Sequence, residues 1–203
     1  MKLYYTPNAC SLSDHIVLEW IGAPYEAVRV SREQRQAPAF RALNPAGAVP
    51  VFEQDGWVLT QNAAILNYLA DRFPAAKLGG DGTPEGRAEV NRWLAFVNAD
   101  VHPAFKPLFG STAWLEDPAL IEKSKANARE NIRGLLERAD AQLEGRDWIA
   151  GQRSIADPYL YVVLRWARGQ GVDLAGLDRL ARFGARMEAD PAVARVLADE
   201  GLA

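Results

Sequence analysis

The pattern of apolar residues changes once along the chain, at a Gly-rich polar segment of residues 75–84. Before this segment the apolar period alternates between that of strands and that of helices, and after it only helical periods occur. Small, polar and Gly-rich segments are typical of interdomain linkers. The sequence therefore predicts an α/β domain at residues 1–76 and an all-helical domain at residues 84–203.

The first domain shows the order βαβ, then a short helix, then ββα. Asp55-Gly56 indicates the hairpin, because both central positions of such a turn need positive φ. A parallel strand pair joined by a helix, followed by an antiparallel hairpin, is the thioredoxin-like arrangement. The predicted segments are 2–6, 12–21, 25–30, 38–43, 51–53, 58–60 and 62–73.

The second domain contains no strand pattern. Helices are predicted from about Pro84 to Phe109, from Pro118 to Leu143, from Asp157 to Arg168, and from Pro191 onward. Ser154 and Asp157 have the spacing of a capping box at the start of the third of these helices.

Composition excludes several classes of function. The net charge of −3 provides no general basic field for nucleic acid or an anionic membrane surface. No apolar run approaches the ~18 residues of a membrane span, and the N-terminus does not have the pattern of a signal peptide. With Cys10 as the only cysteine there is no internal disulfide, so we expect a cytoplasmic protein. His15, His102 and Cys10 form no ligand cluster, and we expect no metal.

Cys10 is the residue most suggestive of chemistry. It lies between the first strand and the first helix, where unpaired N–H groups and the helix dipole favour a thiolate. The string Cys10-Ser11-Leu12-Ser13 matches a redox C-x-x-C motif with serine at the second position, so only an external thiol can exchange with it. The alternative is a buried small apolar residue, since free cysteine is among the most buried residue types.

Three further sites have a functional and a structural interpretation. A cis Val49-Pro50 bond would offer backbone groups to an extended peptide ligand, although most X–Pro bonds are trans. Gln61-Asn62 precedes a helix whose N–H groups can hold a carboxylate, or it forms an ordinary helix cap. His102 lies late in the first long helix of the second domain, where a lone histidine is more often structural.

Taken together, these segments resemble the glutathione transferases, and among them the bacterial beta class with an active-site cysteine. The resemblance covers essentially the whole chain. Its five segments are residues 2–12, 44–50, 60–65, 102–105 and 148–157, in that order.

The resemblance implies glutathione as co-substrate, an electrophile pocket in the helical domain, and a homodimer. It places Cys10 and His102 near the glutathione sulfur, and Arg35 near the glycyl carboxylate. The remaining implied contacts are Val49 and a cis Pro50 at the cysteinyl backbone, Gln61 and Asn62 at the γ-glutamyl end, and Ala99 and Asp100 against glutathione bound to the partner subunit.

Two positions depart from the family pattern. Many members have an acidic residue followed by serine or threonine where this chain has Gln61-Asn62, and some beta-class relatives have an asparagine at the position of Ala95. Tyr5 and Ser11 are lesser candidates for a hydrogen bond to the sulfur, and both also suit packing or capping.

The function that follows is conjugation of glutathione to small electrophiles. The pocket is expected to be apolar, on account of Phe105, Phe109, Trp114 and Trp166. One alternative is a glutathione-dependent disulfide reductase or peroxidase acting through Cys10. Another is a non-catalytic ligand-binding protein on the same fold.

Overall fold

The computed structural model describes all residues 1–203. Its first part combines four strands with three helices, in the order that the periodicity predicts. The elements are β1 (Lys2–Tyr5), α1 (Ser11–Ile21), β2 (Glu26–Arg29), α2 (Pro38–Leu43), β3 (Val51–Gln54), β4 (Trp57–Thr60) and α3 (Asn62–Arg72).

The four strands form one mixed sheet in the order β2-β1-β3-β4. β1 pairs in parallel with β2, which the α1 crossover requires, and both β1–β3 and β3–β4 are antiparallel. The hairpin between β3 and β4 turns through Asp55 and Gly56, with φ of 53° and 81°. The predicted thioredoxin-like domain is therefore confirmed.

The second part is entirely helical. Its helices are α4 (Pro84–Ala95), α5 (His102–Ala104), α6 (Pro118–Gln142), α7 (Ala156–Gly169), α8 (Asp178–Ala189) and α9 (Pro191–Asp199). Asp117 and Asp190 cap α6 and α9 by accepting backbone N–H bonds, and a proline follows each cap. No helix has both the length and the apolar character needed to cross a membrane.

One helix prediction needs correction, and one helix was missed. The predicted helix from Pro84 to Phe109 is interrupted: residues Phe96–Val101 are π-helical and α5 ends at Ala104. Pro103 has no N–H and its ring would clash with the carbonyl of the preceding turn, so a regular α-helix cannot pass through it. Helix α8 was not predicted, although Leu180, Phe183 and Met187 form a buried stripe on it.

The predicted capping box at the start of α7 forms in part. The Asp157 carboxylate accepts bonds from the Ser154 N–H at 2.7 Å and the Ile149 N–H at 2.9 Å. The Ser154 hydroxyl donates to the same carboxylate and accepts from the Ala156 N–H. In a complete capping box it would instead accept from the backbone N–H of Asp157. Burial raises the pKa of Asp157 to about 7, although the hydrogen bonds from these donors act to lower it.

The two parts pack against each other through α1. This helix contacts α3 within its own part and α7 and α9 of the helical part, and one apolar core runs through both. The segment between them is anchored, since the Ile155 N–H donates to the Leu78 carbonyl at 3.0 Å. The predicted limits at residues 76 and 84 remain predictions.

Candidate active site

Cys10 lies in the cleft between the two parts, directly before α1. Two cavities meet at Cys10, Val49 and His102. The first, which we call the loop-side cavity, has a volume of about 290 Å³ and lies between the 44–50 loop, the start of α3, and Tyr159. The second, the aromatic cavity, has a volume of about 300 Å³ and is bounded by Phe109 and Trp166 on its helical side. A larger groove of about 770 Å³ at the linker contains no cysteine or histidine.

The Cys10 thiol donates to the Val49 carbonyl at 3.7 Å. Burial, and secondarily the neighbouring Asp14, raises the pKa of Cys10 to about 12. Backbone N–H groups at the start of α1 act in the opposite direction, as the sequence suggests, but they are outweighed. The expectation of a lowered thiol pKa is therefore wrong, and the raised pKa of Cys10 favours the thiol over the thiolate at neutral pH.

Val49 and Pro50 are joined by a cis peptide bond at the wall of the loop-side cavity. The loop that carries them is held by Asn44, whose side-chain amide donates to the Ala48 carbonyl at 2.7 Å. Gly47 has φ of 61°, and a Cβ on it would lie 3.0 Å from the Arg35 carbonyl oxygen. A side chain at this position would push the loop away from the segment that carries Arg35.

Gln61 and Asn62 begin α3 in different ways. Gln61 is exposed and has φ of 77°, so its backbone turns sharply into the helix. The Asn62 amide points inward and is 5% exposed. Its hydrogen-bond partners orient it: the nitrogen donates to Asp14 and to the Cys10 carbonyl, and the oxygen accepts from Ser13. The side chain of Asn62 is thus occupied, and only its backbone N–H remains for a ligand at this end.

His102 faces both cavities from the second part. Its Nδ1 lies 2.5 Å from the hydroxyl of Tyr159, and the same hydroxyl lies 3.3 Å from Oδ1 of Asn98. Burial and then Lys106 lower the pKa of His102 below its ordinary value, which favours the neutral ring at pH 7. The Trp166 ring packs edge-on against it with centroids 4.8 Å apart.

Two candidate residues do not face either cavity. Tyr5 is buried against His15, with ring centroids 5.2 Å apart, because alternate β1 residues point into the core. The Ser11 hydroxyl is also buried and exchanges hydrogen bonds with the backbone of Thr6 at 3.3 and 3.4 Å, closing the loop before α1. Both side chains make structural contacts, and neither lines a cavity at Cys10.

The other predicted residues are distributed as follows. Arg35 lines the aromatic cavity, and its Nε has no partner. Ala99 and Asp100 are exposed on the π-helical segment. Trp114 is 76% exposed and lines neither cavity, and Phe105 is buried behind Phe109.

Several cavity residues were not predicted as site residues, and four of them have side chains that bear on the chemistry of the cleft. Asn98, Lys106 and Tyr159 line the loop-side cavity, and Arg165 lines the aromatic one. Asn98 and Lys106 are four residues to either side of His102, a spacing that could have identified them. Tyr159 and Arg165 lie on α7, and only tertiary packing brings them to the cleft.

The fold and the cleft define a class of protein. In this class a thioredoxin-like domain with a cis-proline loop is joined to an all-helical domain, and a cysteine lies in the cleft between them. Residues 1–71 match the model of the glutathione S-transferase N-terminal domain, and residues 96–191 match that of its C-terminal domain. The chain is 57% identical to glutathione S-transferase GST-4.5 of Xanthomonas campestris over the full length of both.

Solved structures agree with the sequence matches. A glutathione S-transferase of Xylella fastidiosa superimposes with a TM-score of 0.98 at 54% identity, covering 100% of this chain and 99% of that one. A sphingomonad glutathione S-transferase in complex with glutathione superimposes with a TM-score of 0.88 at 40% identity, covering both chains completely. The chain belongs to the glutathione S-transferase family, and it is a glutathione transferase.

Proposed function

We propose that this enzyme is of the bacterial beta type and binds glutathione in the loop-side cavity, with the thiol beside Cys10. The support is the position of Cys10 at the meeting point of the two cavities, next to the Val49 carbonyl. The backbone of Val49 would pair with the cysteinyl residue of glutathione as an added strand does. Arg35, which lines the aromatic cavity together with Cys10, would hold the glycyl carboxylate, so that the tripeptide extends from the loop-side cavity past Cys10.

The γ-glutamyl carboxylate would lie at the start of α3. The first N–H groups of a helix have no partner within it, and the helix dipole favours an anion there. In this proposal Gln61 contributes its exposed amide and Asn62 its backbone N–H only. A neutral amide binds an ammonium group less strongly than a carboxylate does, so glutathione affinity is expected to be modest.

The reaction proposed is nucleophilic attack by the glutathione thiolate on an electrophilic carbon. The thiol loses its proton to solvent, the sulfur forms a bond to the carbon and, with an aryl halide, the halide leaves as an anion. Tyr159 would donate to Nδ1 of His102, so that Nε2 carries the ring proton and donates to the thiolate. This role needs a neutral ring, which the lowered pKa of His102 favours.

A second activity, thiol–disulfide exchange through Cys10, is favoured by the opening of both cavities at that residue. In that reaction the Cys10 thiolate would attack the glutathionyl sulfur of a glutathione mixed disulfide, form a glutathionyl adduct and release the other thiol. A glutathione thiolate would then attack this adduct, restore Cys10 and leave as glutathione disulfide.

We also propose a cytoplasmic homodimer. The exposed Ala99 and Asp100 would then contact glutathione bound to the partner subunit. The lone cysteine suits a reducing compartment.

The experiment that tests the function compares an aryl halide with a glutathione mixed disulfide, each at several glutathione concentrations. We expect saturable conjugation of the halide at millimolar glutathione, and slower turnover of the disulfide. Absence of both activities, together with no heat of glutathione binding in calorimetry, would contradict the proposal.

A further inference from the structure

The charges around the two cavities are unevenly distributed for an acidic protein. Arg35, Lys106 and Arg165 line them, and no aspartate or glutamate does. The chain as a whole carries a net charge of −3. The cleft is therefore a local cationic site, which favours anionic ligands.

Under the proposed function glutathione requires neither Arg165 nor Lys106. In that arrangement Arg35 and the start of α3 receive the two carboxylates of the tripeptide, and Lys106 lines only the loop-side cavity. Arg165 lies in the aromatic cavity, on the helix that also supplies Trp166.

The guanidinium of Arg165 has only neutral partners. It donates to the Tyr161 hydroxyl at 3.2 Å and to the Leu202 carbonyl at 3.3 Å, and its Nε is buried without a partner. Arg168, one turn further along α7, is instead paired with Glu188 at 2.7 Å. A half-buried guanidinium without a carboxylate partner can receive an anionic ligand, and its planar fork suits a carboxylate in particular.

The same cavity offers aromatic surface beside this charge. The rings of Phe109 and Trp166 lie edge to face with centroids 5.3 Å apart, and Phe109 is 53% exposed. The indole N–H of Trp166 is already bonded to the Asn8 carbonyl, so this residue presents only its ring to a ligand. An aromatic ring can therefore pack here, with an acidic substituent directed to Arg165.

We propose that the second substrate of this transferase is an aromatic electrophile that carries a carboxylate, bound in the aromatic cavity with its carboxylate on Arg165. This inference depends on the proposed function and narrows its substrate class. It replaces the expectation of a purely apolar pocket.

The test uses two substrates that differ only in this charge, 4-chloro-3,5-dinitrobenzoate and its methyl ester. Both react with glutathione by displacement of chloride. For each, kcat/KM at saturating glutathione is divided by the rate constant of the uncatalysed reaction. The enzyme should favour the acid over the ester by about tenfold, which corresponds to one charge-assisted hydrogen bond.

Arg165→Gln should lower this acid-to-ester ratio about tenfold, because it removes the charge that only the acid uses. Arg165→Lys should retain most of the preference. Arg168→Gln is the matched control, because it removes a positive charge from the same helix. Arg168 is already paired with Glu188, so this variant should leave the ratio unchanged.

If the Arg165 variants do not fold, inhibition of the wild-type enzyme provides the same test. Chloride-free 3,5-dinitrobenzoate should compete with the ester more strongly than methyl 3,5-dinitrobenzoate does. Two results would overturn this inference without contradicting the proposed function. One is conversion of the ester with no preference for the acid, and the other is an equal loss of kcat/KM for both substrates in Arg165→Gln. Conversion of neither substrate, with no glutathione binding, would reject the proposed function as well.

Discussion

Asp14 is a buried carboxyl group that takes part in no ion pair. It lies in the first turn of α1, one of its oxygens has no hydrogen-bond partner, and the other accepts from Asn62. Burial raises the pKa of Asp14 well above its ordinary value. The folded state therefore binds this proton more tightly than the unfolded chain does.

The sign of the resulting pH dependence follows from that difference. Below about pH 4, the pKa of an unfolded aspartate, both states are protonated and Asp14 costs nothing through ionisation. As the pH rises above this value the unfolded chain ionises first, and the free energy of unfolding falls.

We therefore predict that Asp14→Asn stabilises the protein by at least about 1 kcal/mol at pH 8, and by much less at pH 4, because about 1.4 kcal/mol is involved per pKa unit. Urea denaturation at the two pH values measures this. Asp199→Asn, at an exposed position, is the control and should have little effect at either pH. An Asp14→Asn protein that is less stable than wild type at pH 8 would show that the carboxyl is a net stabilising group.

At the scale of elements, the end of α9 connects the helical part to the active-site loop. The Glu200 carboxylate accepts from the Asn8 N–H at 3.1 Å and lies 3.0 Å from Nδ1 of His15, and all of this carboxylate is buried. Asn8 has φ of 60° and precedes Cys10 by two residues. The C-terminal segment thus helps to fix the loop that carries the cysteine.

Glu200→Ala should leave the buried His15 ring and the Asn8 N–H without their partner and destabilise the protein by roughly 2–4 kcal/mol. Urea denaturation followed by tryptophan fluorescence measures the loss. The adjacent Asp199→Ala is exposed and should change stability by less than about 0.5 kcal/mol. Equal effects of the two substitutions would mean that the buried contact contributes nothing.

Local sequence predicted most elements and fewer of the site contacts. The strands, the Asp55-Gly56 turn and the cap at Asp117 depend on neighbouring residues, so their patterns were readable. The π-helical segment before His102 reflects a compromise between Pro103 and core packing, which periodicity does not describe. The inward orientation of Asn62 depends on Asp14, 48 positions earlier, and the raised pKa of Cys10 depends on burial that only the closed cleft produces.

At the scale of the whole molecule, we predict a homodimer. The exposed positions of Ala99 and Asp100 beside the cleft suit a partner subunit at this edge. Light scattering at micromolar concentration should give about twice the 22.3 kDa mass of the chain. A particle of the single-chain mass across that concentration range would contradict the assembly and the proposed role of both residues.

The relation between Cys10 and the glutathione sulfur is the central claim about the whole enzyme. The high thiol pKa implies that Cys10 reacts slowly at neutral pH and about tenfold faster for each pH unit up to 9, as the thiolate fraction grows. Conjugation of an aryl halide should fall only partly in Cys10→Ala, because glutathione supplies that nucleophile, whereas disulfide reduction should be nearly lost.

The most direct measurement is intact mass after incubation with oxidised glutathione at pH 7, 8 and 9. We predict one glutathionyl adduct on the wild-type chain, faster at higher pH, and none on Cys10→Ala, which still folds and binds glutathione. An unmodified wild-type chain at pH 9, or disulfide reduction that survives Cys10→Ala, would show that Cys10 is a packing residue and that no protein thiol meets the glutathione sulfur.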